Sequence, residues 1–243
     1  MILNKEIRKR IITKGAELGF GHYCSAMSCV DVVAYLYKKI LTKDDIFIMG
    51  KGHGIIAVLP ILEKKYPNIK WKPYLDYEPQ MGIEATTASL GHGLPIAIGR
   101  AYARKLLNKK GNIYCMVGDG ELQEGSNWEA LNIAHKLKLN NLIVLVDWNK
   151  YQAVDSIKKI MDSDGKEMKR KFEAFGCSVK ICNGHSNKSM QVMKKLKKGI
   201  VNVFILDTIK GKGIRFLEDN PSYHVVYWHE HEKEFKEALK DLE

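Results

Sequence analysis

The stretch Met116-Val117-Gly118-Asp119-Gly120-Glu121 decides the fold together with a second one, Val144-Leu145-Val146-Asp147-Trp148-Asn149. Each contains the end of a short apolar run rich in β-branched residues, which is typical of a parallel strand buried on both faces. Asp119 and Asn149 therefore come at the carboxyl ends of two strands, the edge where open α/β sheets bind ligands. A carboxylate and an amide oxygen suit a hard cation such as Mg²⁺ that keeps phosphate oxygens in its shell. The two stretches predict a site for a metal ion and a diphosphate.

The spacing of the two polar residues supports this prediction. A bare Gly-Asp-Gly is common and on its own indicates only a turn after a strand. Asn149 follows Asp119 by 30 positions, which is enough for one strand-helix-strand crossover with a helix at 125–137. Gly118 and Gly120 would let the backbone approach a diphosphate closely, because glycine has no side chain.

Longer segments around these residues match a known family. They are Gly118-Asp119-Gly120-Glu121-Leu122-Gln123-Glu124-Gly125, Trp128-Glu129-Ala130, and Asn140-Asn141-Leu142-Ile143 up to Asn149. Together they resemble the thiamine diphosphate motif of transketolases, and most closely that of the amino-terminal subunit of split transketolases. Further matches follow the family's order along nearly the whole chain, at Gly21-His22, 51–54, 82–93 and 209–216.

Apolar periodicity predicts alternating helices and strands without a linker or an internal repeat. Helices are expected at 4–18, 29–40, 54–65, 94–107, 125–137, 167–175 and 187–198, and strands at 46–49, 113–117, 142–146, 177–182 and 201–208, with an irregular loop at 66–80 and a polar segment at 150–169. This alternation predicts an α/β fold, a parallel sheet flanked by helices on both faces. The resemblance identifies it as the thiamine diphosphate-binding fold. With 243 residues, 45% of them hydrophobic, the chain is expected to form a single domain, 1–243, with a helical tail at 232–242.

Composition narrows the function classes. No segment has the length and apolarity of a membrane span, and charges recur from Lys5 to Lys14 where a signal peptide would need an apolar region, so a cytoplasmic location is expected. The five cysteines form no Cys-x-x-Cys pair and are expected to be reduced thiols rather than zinc ligands. The net charge is +11, but the basic residues are dispersed over helix faces, so neither nucleic acid nor membrane binding is predicted.

The resemblance implies roles for individual residues around the cofactor. The metal, Mg²⁺ or in its place Ca²⁺ or Mn²⁺, would be bound by the side chains of Asp119 and Asn149 and by the backbone carbonyl of Tyr151, and Gly118 and Gly120 would leave room for the diphosphate. Two further positions have alternatives. Glu124 stands where the family carries an acidic residue beside the cofactor, but could simply favour the start of a helix. The peptide at Ser89-Leu90 would cover the cofactor, with the Leu90 backbone on the aminopyrimidine, or be only a turn.

Histidines are the candidates for proton transfer. His53, between two glycines, would touch the diphosphate or the substrate side of the cofactor, and His22 would contact sugar hydroxyls. His224 matches a family histidine near the cofactor, and His229 is a rival for the same role. His92 could act as His22 does or only cap a helix, and His135 is expected to be structural, because it lies on an amphipathic helix.

The implied reaction is that of a transketolase, in which thiamine diphosphate supplies the carbanion and a two-carbon ketol unit passes from a ketose phosphate to an aldose. In the family, a glutamate from a pyrimidine-binding domain activates the cofactor, and nothing in this chain matches that domain. We therefore expect a partner chain that carries the pyrimidine-binding and carboxyl-terminal domains, in a heterotetramer with the site at the interface. Alone, the chain is expected to be nearly inert.

Several positions depart from the family's usual residues and leave the substrate open. Tyr23-Cys24 replaces Pro-Gly, Ala88 stands where Gly is usual, Tyr74-Leu75 lies near the place of a His-Pro pair, Trp148 stands where Arg is frequent, and the 183–186 segment reads Asn-Gly-His-Ser. These changes suggest a specialised sugar. Two alternatives share the metal motif: the alpha subunit of a thiamine-dependent 2-oxo acid decarboxylase or dehydrogenase, and a non-catalytic cofactor-binding relative.

Overall fold

A five-stranded parallel sheet forms the centre of the computed structural model, which describes residues 3–161 and 163–243. The strands lie in the order Ile46–Met49 (β2), Ile113–Gly118 (β3), Leu142–Trp148 (β4), Asn202–Asp207 (β6) and Ser178–Asn183 (β5). Every residue of β3 and β4 is buried, as their continuous apolar runs predict. The two strands pair with Ile113 beside Leu142 and Gly118 beside Asp147, so their carboxyl ends meet at one edge.

Helices cover both faces of this sheet. One face packs against Lys5–Leu18 (α1), Tyr23–Tyr35 (α2), Leu59–Leu62 (α3) and Glu232–Asp241 (α9), and the other against Gly93–Leu106 (α4), Gly125–Lys136 (α5), Ile157–Met161 (α6) and Gly165–Ala174 (α7). Alternate strand residues enter the two cores: Met116 and Leu145 join the first, and Val117 and Val146 join the second. The predicted α/β architecture is confirmed.

A second, very small sheet joins the two ends of the chain. Phe20–Gly21 (β1) pairs antiparallel with Val226–Tyr227 (β7), so the residue after β1 and the residues before β7 lie side by side. Tyr23 reinforces this junction, because its hydroxyl donates to the Gly15 carbonyl at 2.7 Å and its ring packs on Trp228. The sequence analysis did not predict these two strands.

Several element boundaries differ from the predictions. The second helix begins at Tyr23 rather than 29 and ends in a π-helical turn, Leu36–Ile40. Its start carried no amphipathic signal, because nearly every residue from 23 to 33 is buried and the helix has no polar stripe. The helix predicted at 54–65 is a 3₁₀ turn, Gly52–Ala57, followed by the short α3.

The helix predicted at 187–198 is also shorter, with Asn187–Met190 (α8) followed by a 3₁₀ turn that ends at Lys194. Four lysines crowd 194–198 without acidic neighbours to offset their repulsion in a helix. The segment predicted to be polar, 150–169, contains α6 and the start of α7, and its residue 162 lies outside the described residues. Within the described part of the chain, no helix is both long and apolar enough to span a membrane.

Candidate active site

A cavity of about 260 Å³ opens at the carboxyl ends of β3 and β4. Nine of the residues singled out in the sequence line it: His22, His53, Leu90, Gly118, Asp119, Gly120, Asn149, Tyr151 and His224. A larger and more apolar cavity of about 480 Å³ lies on the other side of Tyr151, but none of the histidines and neither Asp119 nor Asn149 reaches it. The chemistry of the lining, rather than the size, therefore selects the smaller cavity.

Asp119 and Asn149 lie at adjacent strand ends, held by backbone amides. The Asp119 carboxylate accepts hydrogen bonds from the amides of Gly120 at 2.9 Å and Lys150 at 2.5 Å. The Asn149 side-chain oxygen accepts one from the Tyr151 amide at 3.1 Å. Both side chains are buried, and burial, with the nearby charge of Asp147, raises the pKa of Asp119 to about 7.

These residues fit a divalent cation that also binds phosphate. A buried carboxylate with a raised pKa lacks a nearby positive charge, and a cation beside Asp119 would supply it. Among the residues described, no three His, Cys, Asp or Glu side chains form a metal cluster. A site with one carboxylate, one amide oxygen and one carbonyl matches Mg²⁺, which completes its shell with water and phosphate oxygens.

A buried ion pair lies behind the metal site. The Lys51 ammonium donates to the Asp147 carboxylate and to the Ser25 carbonyl, and both charged side chains are almost fully buried. Asp147 also accepts hydrogen bonds from Ser28 and Thr208 at 2.5 and 2.6 Å. Burial acts to raise the pKa of Asp147, but the Lys51 charge outweighs it and holds that pKa below its usual value. The pair fixes Lys51 in the cavity wall with its charge balanced.

Three of the predicted histidines converge on one side of the cavity. The ring centroid of His22 lies 5.3 Å from that of His53 and 5.0 Å from that of His224. The Nδ1 atoms of His22 and His224 are buried and have no hydrogen-bond partner in the described chain. Burial, followed by the nearby positive charges, lowers the pKa of His22 to about 4 and shifts the pKa values of His53 and His224 downward. All three rings are therefore neutral near pH 7 and can both donate and accept hydrogen bonds.

Other predicted residues lie outside this cavity. Glu124 is exposed at the start of α5, without a capping hydrogen bond from its side chain, and Ser89 and His92 are exposed on the segment before α4. His229 is exposed beside Glu230, so His224 and not His229 faces the site. His135 lies against Gly176, where an added Cβ would come 2.1 Å from its ring, which agrees with a structural role.

The structure adds side chains that sequence reasoning missed. Lys210 lines the cavity although it is only 2% exposed, and burial lowers its pKa. Glu121, rather than Glu124, supplies the buried acid: it accepts hydrogen bonds from the amides of Gly91 and Gly118, and burial raises its pKa to about 7. Tyr74 completes the wall, with its ring centroid 5.9 Å from that of His22. Lys51 and Lys210 lie in matched segments, but no pattern in those segments indicates that a lysine is buried.

Comparisons with known proteins agree with this site. The family model described as transketolase, thiamine diphosphate binding domain, matches residues 71–226. One of two subunits of an apulose-4-phosphate transketolase from Actinobacillus succinogenes is 36% identical, with 90% of this chain and 88% of that protein covered. A 6-deoxy-6-sulfo-D-fructose transketolase subunit from a Clostridium species is 31% identical over 98% and 94% of the two chains. Human transketolase is 32% identical, over 85% of this chain but only 36% of its own length.

The fold comparison gives the same result. The transketolase structure from Leishmania mexicana superimposes with a TM-score of 0.82 at 22% identity, covering 98% of this chain and 41% of that one. A transketolase from Campylobacter jejuni gives a TM-score of 0.81 with similar coverage. At this identity the superpositions establish the fold, and this fold accounts for less than half of those longer chains.

Proposed function

The chain belongs to the transketolase family, and on that premise we propose that it is the thiamine diphosphate-binding subunit of a two-chain transketolase. The observation that carries the proposal is the cavity in which Asp119 and Asn149 face the group of His22, His53 and His224. The relatives that match the chain over most of their own length are named as transketolase subunits, which supports this assignment over the 2-oxo acid alternative.

The metal would be Mg²⁺, with Ca²⁺ or Mn²⁺ as substitutes. Asp119 and Asn149 would bind it through their side chains and Tyr151 through its carbonyl, and diphosphate oxygens would complete the shell. Gly118 supports close approach of the diphosphate, because a Cβ there would contact only the Lys51 side chain, at 3.8 Å. Lys51 and Lys210 would add positive charge around the diphosphate.

Thiamine diphosphate, when bound, supplies the nucleophilic carbon and the electron sink for cleavage of the carbon-carbon bond. The chain's own residues would hold the sugar and move protons. His22, His53 and His224, neutral near pH 7, can accept a proton from a sugar hydroxyl through one ring nitrogen and donate through the other. The unpartnered Nδ1 atoms of His22 and His224 are available for such hydroxyls. Leu90 would cover the aminopyrimidine side of the cavity.

A second chain would complete the site. It would carry the pyrimidine-binding and carboxyl-terminal domains and a glutamate that activates the cofactor, and two copies of each chain would form a heterotetramer. The present chain would then be one domain over 1–243, and a cytoplasmic location stays a prediction. One relative is named for a sugar phosphate and another for a sulfonated sugar, which supports a ketose with an anionic end as the donor.

Calorimetric titration tests the proposal. Thiamine diphosphate with Mg²⁺ is titrated into the chain alone, into the chain with its pyrimidine-binding partner, and into the Asp119→Ala variant of each. We expect tight binding only with the partner and its loss in the variant, while Asp76→Ala, an exposed acid outside the cavity, leaves binding unchanged. If neither form of the wild-type chain binds, the enzyme assignment is wrong and a non-catalytic relative is the better description.

A further inference from the structure

A buried ionic network lies behind the cavity, centred on Asp31 of α2. The Arg8 guanidinium donates to both carboxylate oxygens of Asp31, at 2.8 and 2.9 Å, and neither side chain is more than 2% exposed. His185, from the turn after β5, adds a third contact through Nδ1 at 2.8 Å. Burial alone would raise the pKa of Asp31, but the hydrogen bonds from His185 and Arg8 hold it at about 2. Asp31 is therefore a fixed negative charge shared by two partners.

Both partners continue to the same short loop, 209–212. The Ile209 amide donates to His185 Nε2 at 2.9 Å, and Arg8 Nε donates to the Lys212 carbonyl at 2.8 Å. Because Nε2 of His185 accepts a hydrogen bond, it carries no proton, and Nδ1 must donate to Asp31. The tautomer of His185 is thus fixed by the two groups that it joins.

Lys210 lies between these two attachment points. Its amine faces the cavity, near the Gln152 carbonyl at 3.5 Å and 5.5 Å from the centre of the Tyr151 ring. The next residue, Gly211, donates its amide to the Cys24 carbonyl at 2.9 Å and has a φ of +75°. A Cβ there would come 2.2 Å from the Leu217 carbonyl oxygen, so the loop is closely packed. Four consecutive residues thus have three backbone groups tied to α1, α2 and the turn after β5.

We propose that His185, oriented by Asp31, is a positioning residue that holds the Ile209–Lys212 loop so that Lys210 points at the diphosphate of the cofactor. This role rests on the proposed function, because Lys210 has a ligand to face only if the cavity binds a diphosphate. His185 itself does not line the cavity, so it acts on binding through Lys210. A side chain held in place before binding loses less conformational freedom when the ligand arrives.

Hydrogen exchange on the ligand-free chain tests the positioning directly. In the wild type, the amides of 209–211 should exchange slowly, because they are bonded and packed. We expect His185→Ala to speed exchange in this loop at least tenfold. His185→Gln should recover much of the protection, because its amide carries one acceptor for Ile209 and one donor for Asp31. Glu63→Gln, which weakens the similarly bidentate Arg10–Glu63 pair of α1 and α3, should leave the loop unchanged. Unchanged exchange in His185→Ala would overturn the inference.

A double-mutant cycle tests the consequence for binding. Thiamine diphosphate with Mg²⁺ is titrated into the two-chain enzyme carrying His185→Ala, Lys210→Met, or both. We expect each single change to weaken binding about tenfold and the double variant to be no weaker than Lys210→Met, because His185 acts through Lys210. Additive losses would mean a general structural role and would overturn the inference.

The two tests separate the inference from the function on which it rests. If the wild-type enzyme binds no thiamine diphosphate, the proposed function fails, and the ligand is not the one that Lys210 faces. If the wild type binds and Lys210→Met weakens binding while His185→Ala does not, only the positioning inference fails. Melting temperatures of all variants, measured without ligand, identify any change that acts by unfolding the chain.

Discussion

The imidazole rings of His22 and His224 lie with their centroids 5.0 Å apart and their planes at 84°, although 202 positions separate them in the sequence. The pairing of β1 with β7 brings them together, because Phe20 lies beside Tyr227 and Gly21 beside Val226. The carboxyl-terminal segment is therefore part of the cavity wall and more than a helical tail. The arrangement also surrounds two neutral rings with positive charge, and this has a consequence for stability.

We expect the folded chain to lose stability as the pH falls from about 6.5 to about 4. Burial, then the charges of His224, Lys51 and Lys210, lowers the pKa of His22 from 6.5 to about 4. The unfolded chain therefore takes up a proton at His22 in this range while the folded chain does not, which favours unfolding as the pH decreases. Allowing for partial exposure, the loss from His22 is about 1–2 kcal/mol. Urea unfolding measured at several pH values gives this slope.

Other acids also titrate in this range, so the comparison between variants decides. His22→Gln should flatten the slope between pH 4 and 6.5, because glutamine does not titrate. His135→Gln, at an exposed histidine of α5, should follow the wild type. A His22→Gln variant with the wild-type slope would mean that the His22 ring is not held neutral by its surroundings.

Breaking the Lys51–Asp147 pair should be among the most costly single changes in the chain. Asp147→Asn leaves the Lys51 ammonium buried without its counter-charge and weakens the contacts to Ser28 and Thr208. Loss of one partner of such a buried pair costs about 3–5 kcal/mol. Urea unfolding at pH 7 measures the change. The exposed pair Lys72–Asp76 offers the control, and Asp76→Asn should cost less than about 0.5 kcal/mol.

If Asp147→Asn unfolds at nearly the wild-type urea concentration, the Lys51 ammonium has a second source of charge compensation. A variant that also carries Lys51→Met distinguishes the two cases. It should recover much of the lost stability, because no buried charge is then left unpaired.

Local patterns in the sequence predict the parts of the site that lie at strand ends. The apolar runs of β3 and β4 place Asp119 and Asn149 at one edge of the sheet, and the structure has them there with the predicted pairing. His53 was also found locally, because it closely follows β2 and stands between glycines. Each of these predictions depends on residues within one strand and the turn after it.

Other parts of the site depend on distant partners and could not be predicted. The burial of Lys51 requires Asp147, 96 positions away, and a lysine in a glycine-rich turn is normally solvated. The strands β1 and β7 have two residues each, too few for any periodic signal. The choice between His224 and His229 depended on this pairing, so the sequence could name both but not decide between them.

Gly52→Ala should disturb the cavity, although its backbone angles are open to other residues. A Cβ at Gly52 would lie 2.0 Å from the carbonyl oxygen of Thr87, and Thr87 is tied to the Met49 carbonyl. The methyl group must therefore push apart the two segments that carry His53 and Leu90. We expect a loss of about 1–3 kcal/mol in the free energy of unfolding and at least tenfold weaker binding of thiamine diphosphate.

Gly99→Ala is the matched control for this substitution. Gly99 lies within α4, and a Cβ there would have nothing within 4 Å, so alanine should stabilise the helix by about 0.5–1 kcal/mol. Urea unfolding and calorimetry compare the two variants. Equal stability of Gly52→Ala and the wild type would show that the 87–90 segment can move away without cost.

Tyr74 should determine how tightly the sugar binds. Its ring lines the cavity beside His22, and its hydroxyl makes no hydrogen bond within the described chain. With the unpartnered Nδ1 atoms of His22 and His224, it forms a wall of free polar groups suited to a polyhydroxylated ligand. Tyr74→Phe keeps the ring and removes only the hydroxyl. In the two-chain enzyme we expect KM for the ketose to rise about tenfold, with the affinity for thiamine diphosphate unchanged, because one hydrogen bond to a neutral group contributes about 1.4 kcal/mol.

Tyr77→Phe is the control for Tyr74→Phe, because Tyr77 belongs to the same loop but is 52% exposed and packs against Arg100 outside the cavity. Steady-state kinetics with a series of ketoses would separate two effects of the Tyr74 hydroxyl. If it donates to one particular sugar hydroxyl, Tyr74→Phe should raise KM only for ketoses that carry that hydroxyl and so reduce discrimination among them. An equal rise in KM for every ketose would mean that the hydroxyl acts on the His22 ring, and an unchanged KM would place the sugar elsewhere in the cavity.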